Sequence, residues 1–305
     1  MLTERIQMHT KLSARHLEWY ASTASRRYKL YEIKKKNGGN RSIAHPSKEL
    51  KAIQRWICKA ILNNLPIHDS ATGYRVGIGI KTNAALHAAT NFTLRFDFES
   101  FFPSFEQQGV EKFISLRNNA LNLSLTAQDI NFVSRIVCRH GRLTIGAPTS
   151  PVLTNSMMYD FDCATNEWCQ SRNLVYSRYA DDIFISSNSP NCLHEALEFV
   201  KAEIRKHSFA NLKLNTDKTI FLSRRYKRTV TGLVISSTRE ISIGLERKLA
   251  IKDGVYKFKL GRLEPEKIGS LAGMISFVKD VELSFYNTLC RKYGIETIRR
   301  IQLGR

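Results

Sequence analysis

Apolar residues recur along this chain with two periods, and the places where the period changes divide it into elements. Residues 3–24 keep a helical spacing. A short hairpin follows, 28–35 and 41–44 around Asn37-Gly38-Gly39-Asn40, where the glycines supply the positive φ that such a turn requires. Pro46 and Ser47 open a helix in which Leu50, Ile53, Ile57 and Ile61 share one face, leaving Lys48, Lys51, Arg55 and Lys59 off it. Segments 92–97, 174–179 and 182–187 alternate or run apolar like strands. Helical stretches occupy 106–117, 127–138, 150–170 and 190–207. Short strands follow at 219–223, 229–235 and 240–243, then basic helices through residue 305. This order predicts an α+β fold with a palm-like sheet and helices on one face. No repeat, low-complexity tract or Pro/Gly/Ser linker cuts the chain into separable domains.

Composition changes the picture only through charge. The chain has 305 residues, of which 43% are hydrophobic and 24% charged, which excludes intrinsic disorder. Its formal net charge is +20, unevenly spread: +10 over residues 1–60, −3 over 61–200 and +13 over 201–305. Two basic flanks enclose an acidic middle. Flanks of that kind grip a polyanion by counterion release, whereas carboxylates gathered in the middle need another reason, such as metal ions. A merely soluble basic surface is the plainer alternative. No apolar run approaches the roughly 18 residues that span a bilayer, and the N-terminus lacks a signal peptide's apolar stretch, so a soluble, cytoplasmic protein with no membrane partner is expected. Six cysteines without a CxxC pair argue against a disulfide framework or a structural zinc site.

The candidate chemistry centres on Asn173 to Ser187, two β-rich arms joined at Tyr179-Ala180-Asp181-Asp182. A tight hairpin there places Asp181 and Asp182 near the turn with diverging side chains. Adjacent carboxylates in an apolar hairpin repel each other and resist desolvation, a conflict that a cation resolves. Asp97 ends another apolar strand, Phe92 to Asp97. If that strand lies beside the hairpin, Asp97 and Asp181 can hold two divalent ions roughly 3.5–4 Å apart, the geometry for in-line phosphoryl transfer. One ion would lower the pKa of an attacking 3′-hydroxyl and the other would neutralise a leaving pyrophosphate. Hard oxygen ligands, with no His or Cys nearby in sequence, make magnesium the expected metal. An Asp-Asp pair also has a plainer explanation in turn chemistry.

These residues resemble the reverse transcriptase family. Tyr179-Ala180-Asp181-Asp182 is similar to its YxDD box, and Phe96-Asp97-Phe98 with Phe101-Phe102 to its first catalytic-aspartate motif. Gly146-Ala-Pro-Thr-Ser-Pro151 with Asn155 resembles the next palm motif, and Leu214-Asn215 with Lys218-Thr219 the motif after the hairpin. Lys35, Gly38, Gly39 and Arg41 resemble the fingers motif. Within the family the chain resembles bacterial retron reverse transcriptases, since Asn83-Ala84-Ala85-Leu86-His87 is similar to their NAxxH motif and Val230-Thr231-Gly232 to their VTG motif. Ile145 stands where many relatives carry Gln, which leaves that wall of the pocket loosely assigned.

The resemblance implies a right-hand polymerase fold, with fingers at 1–90 and 106–150, a palm with an antiparallel sheet at 91–105 and 151–243, and a helical thumb at 244–305. On that layout no RNase H, integrase, maturase or endonuclease domain is expected. It also implies an RNA-directed DNA polymerase using two Mg²⁺ ions on Asp97, Asp181 and Asp182. Phe102 would be the steric gate against a ribose 2′-hydroxyl, with Phe101 left to the core. Lys35 and Arg41 would carry positive charge onto a deoxynucleoside triphosphate beside Gly146, although a solvated basic turn also explains Lys35. Lys218 would protonate departing pyrophosphate, a role for which a lone surface lysine has duller alternatives. Asn83 and His87 stand one helical turn apart and would take part in RNA organisation, or simply be satisfied structural polars. Val230, Thr231 and Gly232 fit RNA contact or a bulge. By the same resemblance the substrate is a structured non-coding RNA, primed from the 2′-hydroxyl of an internal guanosine. The product is a branched RNA–DNA hybrid (msDNA), and an effector protein in antiphage defence is the implied partner. A group II intron-like stand-alone enzyme and a non-catalytic RNA-binding scaffold are the alternatives.

Overall fold

The computed structural model describes residues 2–34 and 38–304, so Lys35 lies outside the described residues. The expected helix over 3–24 is two helices, α1 (Leu2–Thr10) and α2 (Ala14–Thr23). Lys11 breaks it with a φ of +58°, and Ser13 restarts it by accepting the His16 N–H on its hydroxyl at 3.3 Å. Strands β1 (Tyr28–Lys34) and β2 (Asn40–Pro46) pair antiparallel, with Lys34 opposite Asn40 and Ile33 opposite Arg41. Ser47 then caps α3 (Lys48–Ala60), which buries Leu50, Ile53 and Ile57 on its apolar face.

Next come α4 (Ile80–Leu86), β3 (Phe92–Asp97), α5 (Gln107–Leu121) and α6 (Ala127–Val137). The helix expected over 150–170 is also two, α7 (Thr149–Met157) and α8 (Tyr159–Gln170), parted at Met158. The hairpin that carries Asp181 and Asp182 is β4 (Val175–Tyr179) and β5 (Asp182–Ser187), followed by α9 (Cys192–Lys206) and β6 (Ile220–Ser223). A single strand was expected over 229–235. The structure instead folds β7 (Arg228–Val230) back on β8 (Leu233–Ile235) through a two-residue turn at Thr231-Gly232, both with positive φ. β9 (Ile241–Ser242) completes that small sheet. Helices α10 (Leu245–Lys259), α11 (Pro265–Val281), α12 (Leu283–Tyr293) and α13 (Ile295–Gln302) end the chain.

The sheets are β1-β2, a four-stranded sheet ordered β4-β5-β3-β6, and β7-β8-β9. Two compact units result. One takes in residues up to Val76, Leu94–Ile185 and Asn191–Ile220, with Phe96, Phe105, Phe113 and Phe184 fully buried. The other comprises Gly77–Thr93, Ser186–Pro190 and the chain from Phe221 onward, around Val255, Ile275, Val278 and Leu289. Segment 77–93 belongs with the C-terminal helices because Lys81 donates to the Asp280 carbonyl at 2.9 Å and Thr231 to the Ile80 carbonyl at 3.1 Å. All six cysteines are free thiols. Among the described residues no helix is long and apolar enough to cross a membrane.

Candidate active site

Strand β3 is apolar from Phe92 and ends at Asp97, so its carboxylate emerges where the sheet stops. The Phe98 N–H donates to the Asp181 carbonyl at 3.3 Å, which sets Asp97 beside the β4–β5 turn. From the other side, Asn215 N–H donates to the Asp97 carbonyl at 2.9 Å and Glu99 N–H to the Lys213 carbonyl at 2.9 Å. Lys218 is thereby brought round to Asp97, and its ammonium donates to Oδ2 at 2.5 Å. The other oxygen of Asp97, Oδ1, is buried with no hydrogen-bond partner among the described residues.

Burial, and then the charge of Asp182, raise the Asp181 carboxyl above its ordinary pKa, and Asp97 adds to the effect. Burial also raises Asp182, opposed by the Arg95 guanidinium, which donates to its Oδ1 at 3.1 Å. Two carboxylates whose burial disfavours their charged form, beside a third with an orphaned buried oxygen, suit a divalent cation. Among the described residues no group of three or more Asp, Glu, His or Cys side chains is gathered closely enough to hold a metal ion. An open set fits hard ions that complete their shell with water and substrate phosphate oxygens.

The turn itself is held from beneath. Ala180 has a φ of +58°, unusual for a residue with a Cβ. Arg178, fully buried, donates through Nη1 to the Ala180 carbonyl at 3.2 Å and to Asn155 Oδ1 at 3.1 Å. Its Nε and Nη2 form a fork on Asp162, at 2.8 and 2.6 Å, and the Tyr176 hydroxyl donates to the same carboxylate at 2.6 Å. Asn155 in turn donates to the Gly73 carbonyl at 2.8 Å. Gly73 lies so close that a Cβ there would come within 2.7 Å of the Ala180 nitrogen.

The remaining expected residues fall in both units. Arg41 is exposed on β2, and its positive charge acts on Asp181. Gly146 has a φ of +112°, and a Cβ there would meet the Ala44 carbonyl at 2.6 Å, which fixes the base of the β1–β2 hairpin. Phe101 and Phe105 are buried, whereas Phe102 is half-buried. In the second unit Asn83 and His87 are both fully buried. His87 Nδ1 lies 2.8 Å from Ser186 Oγ. Val230 is core, and Thr231 and Gly232 form an accessible turn whose Gly232 carbonyl accepts from Arg247 at 2.7 Å.

Sequence reasoning passed over Arg95, Arg178 and Asp162. A signal existed for the arginines, since each interrupts an otherwise apolar strand. Their partners lie 87 and 16 residues away, which the local pattern does not reveal.

Residues 33–235, more than half the chain, match the sequence profile of the family described as Reverse transcriptase (RNA-dependent DNA polymerase). The chain is 34% identical to the retron Ec83 reverse transcriptase of Escherichia coli, over 90% of this chain and 89% of that one. It is 32% identical to the retron Ec86 reverse transcriptase of the same species, over 93% and 88%. The retron Mx162 reverse transcriptase of Myxococcus xanthus is 27% identical, over 88% and 61%. Among solved structures, a foamy viral protease-reverse transcriptase superposes with a TM-score of 0.50 at 15% identity, covering 91% of this chain and 42% of that one. Telomerase from Candida albicans gives 0.50 at 16%, covering 91% and 59%. At such identities these two show the right-hand polymerase fold alone. On the profile match and the retron relatives together, the chain belongs to the reverse transcriptase family and, within it, to the retron reverse transcriptases.

Proposed function

We propose that this RNA-directed DNA polymerase of the retron type copies a structured non-coding RNA into a branched RNA–DNA hybrid, primed from an RNA 2′-hydroxyl. The observation that carries the reading is the Phe98-to-Asp181 hydrogen bond, which sets Asp97 against Asp181 and Asp182 with one buried oxygen still unpartnered. Asp97, Asp181 and Asp182 would hold two Mg²⁺ ions, which when bound lower the pKa of the attacking hydroxyl and neutralise the leaving pyrophosphate. Arg95 keeps Asp182 oriented from its outer side, and Arg178 holds the turn that presents Asp181.

Lys218, released from Asp97, donates a proton to the departing pyrophosphate. Arg41 and Lys35 neutralise the triphosphate, Gly146 lets the hairpin base close on the palm, and Phe102 excludes a ribose 2′-hydroxyl. Fingers take in 1–90 and 106–150, palm 91–105 and 151–243, and thumb 244–305. The basic thumb follows the duplex by phosphate contact, and the turn at Thr231-Gly232, backed by Val230, meets RNA. Asn83 and His87 support that surface from within. An effector protein of an antiphage defence system is the expected partner, in the cytoplasm.

Substituting Asp181→Asn and Asp182→Asn together is expected to abolish primer extension while RNA affinity stays unchanged. Equal deoxynucleotide incorporation by mutant and parent would leave only a binding scaffold. Total nucleic acid from cells carrying this gene and its neighbouring non-coding locus should contain a 2′-branched species. Its absence, with extension from a DNA 3′ end intact, would mark a stand-alone reverse transcriptase instead.

A further inference from the structure

Residues 70–72 lie against β4 through a single parallel bridge, and a turn follows at Gly73-Tyr74. Arg178 N–H donates to the Ser70 carbonyl and Thr72 N–H to the Arg178 carbonyl, each at 2.8 Å, and Ala71 bridges Arg178 in parallel register. Gly73 is pressed on the Ala180 nitrogen and tethered by Asn155. Beyond it, Arg75 ties back to Asp69 through both terminal nitrogens at 3.2 Å. Tyr74 is therefore braced on both sides, in the left-handed region at a φ of +59°, which bulky side chains seldom enter.

That strain is not explained by packing, because Tyr74 is 53% exposed. Single exposed rings are ordinary, but an enforced backbone that keeps a ring out of the core is not. Its surroundings give the direction. The ring centroid lies 6.4 Å from that of Phe102 at 55°, and the charged or ionisable groups that act on its hydroxyl are Asp181, Tyr179 and Arg41. Every one of these neighbours stands at the site where the carboxylates converge.

We infer that Tyr74 forms, together with Phe102, an aromatic wall of the deoxynucleoside triphosphate pocket, packing against the sugar and base of the incoming nucleotide. This rests on the polymerase reading above. Two rings tilted to each other make an angled apolar corner beside the carboxylates, and stacking of a base on one ring face is tolerant of which base is present. Bracing Tyr74 through the same Arg178–Asn155 network that shapes the Asp181 turn keeps the wall in register with the reacting phosphate.

The test compares Tyr74→Gly, Tyr74→Phe and the parent full-length protein on its own RNA, by thermal melting and by steady-state incorporation of deoxy- and ribonucleotides. Glycine adopts the left-handed backbone without strain, so Y74G should melt at or above the parent temperature. Its KM for deoxynucleotide should rise about tenfold, in the range that one base–ring stack contributes. Its kcat should stay within about threefold, and its discrimination against ribonucleotides should fall severalfold. Y74F should match the parent throughout. Unchanged KM and discrimination in Y74G, a loss of kcat alone, or a clear drop in its melting temperature would overturn the inference. A parent protein that extends no primer at all would instead overturn the polymerase reading, and this pocket with it.

Discussion

Arg178 and Asp162 have no exposed side-chain surface, and each is satisfied only by the other and by near neighbours. Removing one partner leaves the other charged in a fully buried site, so Arg178→Ala should cost about 3–5 kcal/mol in denaturant unfolding, and Asp162→Ala a similar amount. Replacing both, as Arg178→Met with Asp162→Leu, should recover most of that stability while primer extension stays impaired, because the Ala180 carbonyl still lacks its donor. Recovery of full extension in the double variant would separate the ion pair from the shape of the turn. The three aspartates were legible because a carboxylate in an apolar strand is conspicuous. Arg95 and Arg178 were equally conspicuous, but their partners are decided by which strand and helix lie alongside, and a local pattern does not carry that.

Among the elements, α5 is fixed by close approach rather than by helix propensity. A Cβ on Gly109 would stand 2.1 Å from the Phe209 carbonyl. Gly109→Ala, which in an open helix would gain up to about 1 kcal/mol, should therefore destabilise the protein by about 1–3 kcal/mol. An increase in melting temperature would show that the 209 segment yields freely. Helix α4 offers a pH test. Burial, and secondarily the Arg228 charge, push His87 down to about 3 from an ordinary 6.5. A buried neutral imidazole stabilises fully above pH 6.5, and that contribution declines as pH falls from 6.5 toward 3, at up to about 1.4 kcal/mol per unit. His87→Gln should flatten the acid limb of the stability profile between those limits, and an unchanged limb would show that His87 is protonated without penalty. Helix and strand types were readable at this scale because each segment keeps its period. The breaks at Lys11 and Met158 and the turn at Thr231-Gly232 were not, since apolar spacing continues almost unbroken across them.

Across the whole molecule the charge distribution matters more than its total of +20. A basic C-terminal segment that tracks phosphates releases counterions, so RNA affinity should fall steeply with salt. For six to ten phosphate contacts the loss is about 10³–10⁵-fold between 50 and 200 mM. A filter-binding or anisotropy titration across that range checks it, and a nearly flat response would indicate recognition by stacking and shape instead. Charge reversal at exposed Lys259 and Lys292 should lower the slope without changing kcat on a saturating template.

Helix or strand type along each segment, the acidic middle between basic flanks, and the order of motifs that identifies the family are written in residue type and spacing, though not every break between elements is. Tertiary structure decided the rest. It brought Asp97 to Asp181 through one backbone hydrogen bond, placed Lys218 on Asp97 and Arg95 on Asp182, and forced Tyr74 outward over a strained backbone. These are pairings between residues far apart in the chain, and only the packing that excludes water from between them makes one partner the neighbour of another.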